Sequence, residues 1–364
     1  MKKMIKGGLV VTLSVCLLAG CGQGGTGDGG TGSDGGDSSD SLSVLLLVPG
    51  TLGDKSFFDS ANEGLGLIEE NYDAETKVVE MGTDTTKYSA TLDDVCNEDW
   101  DIIITGGSNI SQPLQEAAAD YPDQQFILYD ESVDYSDGAN SNIYCMTYKC
   151  NEGGYLAGVL AASMTETGQI GFAGGYDIPL INDWLVGYIE GAQSVNPDIK
   201  AATGYMNSFT AKGKEVGLAL YNAGSDIVFQ AAGGAGLGVL DAAKEAGMHA
   251  IGTDSDQSEL FSSDTEKANA IYTSIMKRVD LSIDMAIGKY VDGELEFGTV
   301  DVYGVADGCI ELTNNSWYQE NVPQEVRDVV EAARQDIVDG KVTPSSAHDM
   351  TDDEVQDMKD EVQP

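Results

Sequence analysis

One repeated phrase constrains the fold of this chain more than anything else in it. A short, unbroken apolar run ends in Gly or Asp, and a segment with apolar residues at helical spacing follows. An unbroken run lacks the alternation of a half-solvated strand and suits a strand covered on both faces of a parallel sheet. Parallel neighbours cannot be joined by a tight hairpin, so each needs a crossover, which the helical segments supply. The first round has strands at 44–48, 78–79, 101–105, 125–129 and 142–147, with helices at 59–70, 88–98 and 111–120. The second opens on a Gly- and Ala-rich helix at 154–164. Its strands fall at 169–173, 201–206, 226–229 and 248–252, and its helices at 182–195, 210–222 and 238–246. Two such rounds predict an α/β protein of two doubly wound, Rossmann-like lobes. Ligands of such lobes sit at the carboxyl ends of the strands. There the chain places Gly106-Gly107, Asp130, Gly174-Gly175, Gly233-Gly234 and Asp254. The pattern then thins to a strand at 270–274, a helix at 279–290, a strand at 299–306 and a helix at 323–338. The last fourteen residues carry six acids and one lysine and read as a frayed tail.

Length and charge narrow the function. A chain of 364 residues holds two domains of ordinary size. Asp and Glu number 61 against 19 Lys and Arg, a formal charge of -42. Nucleic-acid recognition depends on Lys and Arg neutralising phosphates, so that class is excluded. A domain lying flat on an anionic bilayer is excluded for the same reason. A hydrophobic fraction of 41% is too large for a disordered chain.

The amino terminus points out of the cytoplasm. Lys2, Lys3 and Lys6 precede an apolar run at 9–19. That run is shorter than the roughly 20 residues of a membrane span and suits an export signal. It closes on Leu18-Ala19-Gly20-Cys21, which resembles the bacterial lipobox, where the Cys thiol receives lipid and the signal is cut away. The competing reading is an uncleaved signal anchor with an incidental Cys. Residues 22–41 are Gly, Asp, Ser, Thr and Gln, a flexible tether with a root-mean-square reach of roughly 25 Å. The expectation is a signal at 1–21, lipidation at Cys21 and attachment to the outer side of the cell membrane through that lipid alone. Of the other cysteines, Cys145 and Cys150 are spaced for a possible disulfide, and free buried thiols are an equal alternative. With His249 and His348 as the only histidines and no CxxC, a zinc site has no support.

Several pieces, in order, resemble the basic membrane lipoprotein family, the nucleoside-binding branch of the type I solute-binding proteins of ABC importers. They begin with Asp54-Lys55-Ser56-Phe57 and Glu63-Gly64-Leu65, and continue through Gly153-Gly154-Tyr155-Leu156-Ala157-Gly158 and Ile170-Gly171-Phe172-Ala173-Gly174-Gly175. Ser208-Phe209, Gly233-Gly234-Ala235-Gly236, Ile251-Gly252-Thr253-Asp254 and Ser274 with Lys277 complete the series. The resemblance runs from about 42 to 312. It implies a type I periplasmic-binding-protein fold whose lobes are joined by a three-crossing hinge, near 147–150, 271–275 and 303–307. The amino-terminal lobe would be 42–148 with 273–304, the other 149–272 with 305–342, and 343–364 an acidic tail. It implies a monomeric binding protein, with no catalysis, cofactor or metal, that takes a nucleoside, expected to be a purine nucleoside, into the cleft and delivers it to a membrane permease.

Carried over residue by residue, the resemblance makes Phe57 and Phe209 the base-stacking rings from the two lobes. Asp54 and Asp130 line the cleft, and Asp254 accepts from the ribose 2′- and 3′-hydroxyls, as an ionised carboxylate can. Gly233 and Gly234 present backbone groups, and Lys277 supplies the positive charge. Phe58 stands where the family has Asn, and Asp59 is expected to replace some of that polar capacity. Each residue also has a structural alternative. Asp54 suits a turn or helix cap, Phe57 and Phe209 plain core, Asp130 a strand-end cap, and Lys277 a buried ion pair with Asp254 or Asp130. Trp184 suits either a cover over the ligand or packing between lobes. A sugar or small signalling molecule feeding an importer or a sensor remains the alternative ligand. An enzyme is disfavoured, since the turn at 233–238 reads GGAGLG instead of GxGxxG, and GxSxG and HExxH are both absent.

Overall fold

In the computed structural model, which describes residues 41–364, the apolar runs become two six-stranded sheets. The export signal, Cys21 and the tether up to residue 40 lie outside the described residues. The strands are β1 (Ser43–Val48), β2 (Glu75–Glu80), β3 (Ile102–Gly106), β4 (Gln125–Tyr129), β5 (Ile143–Tyr148), β6 (Gln169–Gly174), β7 (Lys200–Tyr205), β8 (Ile227–Ala231), β9 (His249–Asp254), β10 (Ile271–Lys277), β11 (Val300–Tyr303) and β12 (Ile310–Leu312). One sheet has the order β11-β5-β4-β3-β1-β2 and the other β12-β10-β9-β8-β6-β7. All pairings are parallel except that of β12 with β10. Val44, Leu45, Leu46, Leu47 and Val48 are fully buried, as a strand covered by helices on both faces must be. This is the type I periplasmic-binding-protein fold of two α/β lobes.

The chain passes between the sheets three times: at 148–150, after β10, and at 303–305. The middle passage corrects the sequence expectation near 271–275. β10 stays in the second sheet through Lys277, paired with β9 on one side and β12 on the other, and only the helix Val279–Val291 returns to the first lobe. The expected strand at 299–306 stops at Tyr303, because Gly304 and Val305 form the third crossing. Hydrogen bonds link crossing to crossing. Lys149 N donates to Tyr303 O at 2.8 Å, and Val305 N donates to Glu152 Oε2 at 2.8 Å.

Within the second lobe, the helices Cys150–Met164 and Pro179–Val195 approach so closely that their backbones touch. A β-carbon at Gly154, Gly158, Gly187 or Gly191 would strike the backbone of the facing helix, so only glycine permits this contact. The four cysteines among the described residues are free thiols.

The C-terminal residues overturn the expectation of a frayed tail. Asp352–Val362 is a helix with a Thr351–Glu354 capping box, and it buries Val355, Lys359 and Val362 against the second lobe. Its acids lie on the solvent side of an amphipathic pattern that the composition of the segment conceals. Among the described residues, no helix is long and apolar enough to cross a membrane.

Candidate functional site

Each sheet order reverses once, between β1 and β3 in the first lobe and between β6 and β8 in the second. In open α/β sheets, ligands bind at such a switch point, in the crevice outside the strand ends. Here the two crevices face one another across a single cavity of about 330 Å³. The turns after β1 (Pro49, Gly50), β3 (Gly106, Gly107), β6 (Tyr176) and β8 (Ala232, Gly233, Gly234) all line it.

Three buried charges meet on one side of the cavity. Asp130 follows β4, Asp254 ends β9 and Lys277 ends β10. Each is less than a tenth exposed. Lys277 Nζ lies 2.6 Å from Asp130 Oδ2 and 3.9 Å from Asp254 Oδ1. Burial works against the charge of Lys277, but the two carboxylates overcome it and hold its pKa above the ordinary lysine value. Burial raises the pKa of Asp130, with the ammonium of Lys277 opposing the rise. Both aspartates have left-handed backbones, with φ of 62° and 68°. Asp tolerates that region better than most residues, at a cost of about 1–3 kcal/mol, and such strain clusters at functional sites. The pair Lys277–Asp130 therefore joins the two lobes. So does Ser56 Oγ, which donates to Asp254 Oδ2 at 2.5 Å.

The aromatic residues come from both lobes. Phe57 opens the first helix, Phe57–Tyr72, with its ring 5.2 Å from those of Phe58 and Tyr129, and Lys277 Nζ sits 4.6 Å from its centroid. On the other wall, Tyr176 and Phe209 meet edge to face at 4.8 Å. The strand-end glycines make room for these rings. A β-carbon at Gly50 would strike Phe58, at Gly106 Tyr129, and at Gly175 Phe209.

Of the residues expected from sequence, Asp54, Phe57, Phe58, Asp130, Phe209, Gly233, Gly234, Asp254 and Lys277 line the cavity together. Asp59 does not. Its carboxylate turns back into the loop and accepts from Gly53 N at 2.7 Å and Lys55 N at 2.9 Å, so it shapes the loop and replaces nothing at Phe58. Asp54 lines the cavity and also caps the first helix, accepting from the backbone N–H groups of Ser56, Phe58 and Asp59. Burial pushes its pKa up to about 6, against the pull of those three donors. Trp184 is buried, lines the cavity and packs edge to face on Phe229 at 5.9 Å. Sequence reasoning passed over Ser56, Tyr176, Ser108 and Asn109. Tyr176 and Ser108 each directly follow a strand-end Gly-Gly pair, a signal that was available. The bond of Ser56 to Asp254 had no local signal at all.

Among the described residues, no group of three or more His, Cys, Asp or Glu side chains is arranged to hold a metal ion. The family described as "ABC transporter substrate-binding protein PnrA-like" matches residues 41–340. The "CD4+ T-cell-stimulating antigen" of Listeria innocua is 30% identical over 363 residues, covering 93% of this chain and 98% of that protein. The "ABC transporter nucleoside-binding protein BmpA" of Lactococcus lactis is 30% identical over 361 residues, covering 95% and 99%. A solved ABC-transporter solute-binding protein from Aeropyrum pernix superposes with a TM-score of 0.76 at 24% identity, covering 88% of this chain and 98% of that one, which establishes the shared fold. The chain therefore belongs to the Bmp family, and is an extracellular, non-catalytic solute-binding protein that serves the membrane permease of an ABC importer.

Proposed function

We propose that the solute is a nucleoside, most simply a purine nucleoside, with Phe57 and Phe209 stacking on the base and Asp254 and Asp130 accepting from the ribose hydroxyls. One observation carries this reading: a single cavity has aromatic rings from each lobe beside buried carboxylates, and one carboxylate oxygen, Asp130 Oδ1, is buried without a hydrogen-bond partner. A buried acceptor left unpaired is costly, and a ligand hydroxyl would satisfy it. The Lactococcus lactis relative, named for nucleoside binding, supports the same ligand class. Gly233 and Gly234 offer backbone groups, and Phe58, Asp54 and Lys277 complete the wall. Attachment to the membrane through Cys21 belongs to the same proposal and rests on the lipobox. Replacing Cys21 with Ser moves the protein from the membrane fraction to the medium, and unchanged association would remove that part.

The test is calorimetry on the purified full chain in detergent. Guanosine, inosine or adenosine binds in the low micromolar range or tighter, and the free base much more weakly. A 2′,3′-dideoxynucleoside loses on the order of 1.5–3 kcal/mol, the worth of a charge-assisted hydrogen bond. It loses little more in the Asp254→Asn variant, because both changes remove the same contact. Simple addition of the two losses would free Asp254 from the ribose. Binding of pentoses or hexoses without response to any nucleoside would decide for a sugar.

A further inference from the structure

The family match ends at residue 340, and the chain then continues along the back of the cavity wall. That wall is the turn 175–178 and the first turns of the helix Pro179–Val195, which bring Tyr176, Leu180, Ile181 and Trp184 to the cavity. The helix has no side-chain cap of its own at Ile178. The C-terminal segment adds hydrogen bonds to its second turn. Ser346 Oγ and Ala347 N donate to Asp183 Oδ1 at 2.7 and 3.0 Å, while Asp183 Oδ2 accepts from Asn151 N at 2.8 Å. Asn151 Nδ2 in turn donates to Pro344 O at 2.9 Å.

Further on, the helix Asp352–Val362 has one basic side chain, Lys359, and directs it inward. Its Nζ donates to Asp177 Oδ1 at 2.8 Å and lies 4.8 Å from the centroid of the Tyr205 ring. Asp177 Oδ1 also accepts from Asn182 Nδ2 at 2.8 Å, and Asn182 Oδ1 accepts from Tyr205 OH at 2.5 Å. The side chain of Lys359 is 6% exposed and that of Asp177 52% exposed, so the lysine is buried to reach a partner at the surface of the turn. Burying an ammonium is costly, and a lysine serving only solubility would point the other way. Asp177 is the next residue after Tyr176, whose ring meets Phe209 at the cavity. One side of this turn therefore faces the cavity, and the other is tied to the C-terminal helix.

We propose that segment 344–362 is a positioning element of the ligand cleft: Lys359, through Asp177, fixes the turn that presents Tyr176 to the solute. The proposal rests on the cavity being the solute site. Lys359 is a positioning residue and touches no ligand.

Two measurements on the full chain in detergent test it. The first needs no ligand. In Lys359→Met, which keeps the length of the stem and removes the charge, amide hydrogen exchange quickens across 175–182 while the sheets keep parental protection. Asp177→Asn, made from the exposed side of the pair, gives the same local change if Lys359→Met fails to fold. Unchanged exchange at 175–182 in a folded variant overturns the proposal. The second is binding of guanosine, inosine or adenosine. Lys359→Met weakens it roughly three- to thirtyfold, the size of couplings carried through an intervening element. Lys359→Arg retains most of the affinity, and the Lys359→Met effect disappears in a Tyr176→Ala background. Full additivity of the two substitutions overturns the assigned route through Tyr176. A parent chain that binds none of the three nucleosides strikes the nucleoside reading alone, and the exchange measurement still decides this one.

Discussion

Lys277 is the only base among the described residues that line the cavity, and its contacts give it two tasks. It neutralises Asp130 and Asp254, and it ties the second lobe to the first. Removing one partner of a buried pair strands the other charge, at a cost of about 3–5 kcal/mol. Lys277→Met is therefore expected to lower stability to urea by about that amount, with much of the loss recovered when Asp130→Asn is added. A loss of under about 1 kcal/mol would mean that water reaches the carboxylates. Asp54 gives a pH signature. Its folded pKa of about 6 lies above the ordinary value of 3.8, so between those limits the folded chain holds a proton that the unfolded chain releases. Its contribution to stability is complete below about pH 4 and is lost as the pH rises through 6. Measured against Asp54→Asn, which cannot titrate there, the parent should lose on the order of 2–3 kcal/mol across that window. A flat difference, or one that grows with pH, would contradict this. Nine of the ten residues singled out beforehand line the cavity: Asp130, Gly233, Gly234 and Asp254 by their place at strand ends, and Asp54, Phe57, Phe58, Phe209 and Lys277 through the family resemblance. The sequence could not distinguish cap from ligand contact at Asp54, which is positioned for both.

At the scale of elements, the glycine-lined contact between Cys150–Met164 and Pro179–Val195 supports the second lobe beneath the cavity. Glycine normally weakens a helix interior, but at Gly154, Gly158, Gly187 and Gly191 the facing backbone leaves no room for a β-carbon. Gly158→Ala is expected to cost about 1–3 kcal/mol, since the new methyl meets backbone that cannot swing away. Gly66→Ala is the control. That residue is exposed in the helix Phe57–Tyr72 with nothing near its β-carbon position, and its substitution should stabilise by about 0.4–1 kcal/mol. Equal effects in chemical denaturation would show that propensity, not contact, governs both. The long elements were readable because their apolar period survives translation into sequence. β12, with three residues, and the short helices Gln257–Leu260, Thr265–Ala270 and Ser316–Asn321 are too brief to show a period at all. The C-terminal helix carried local signals, Thr351 and Glu354 at capping-box spacing and Val355, Met358 and Val362 at helical spacing, which the acid-rich composition overshadowed.

Across the whole molecule, charge and cavity combine into a specificity. The chain carries -42 overall, and Asp54, Asp130 and Asp254 face one Lys277 in the cavity. Adding an anion beside unmatched carboxylates costs several kcal/mol. If the solute is a nucleoside, its 5′-monophosphate should bind at least about tenfold more weakly, with the gap narrowing as salt screens the surface charge. Equal affinities at low salt, by titration calorimetry, would place a cationic path where none is expected. The amino-acid sequence alone determined the class of the fold, the two rounds of strand and helix, and the strand ends where a ligand would sit. It could do so because periodicity, glycine and aspartate report local backbone demands that hold wherever the segment lies. Tertiary structure alone decided which carboxylate pairs with which partner. Ser56 meets Asp254 across 198 residues, and Lys277 meets Asp130 across 147. It also decided where the chain changes lobes and against which lobe the C-terminal helix packs. Those outcomes turn on the desolvation and mutual satisfaction of groups that only the packing of the two lobes brings together, and no local pattern encodes them.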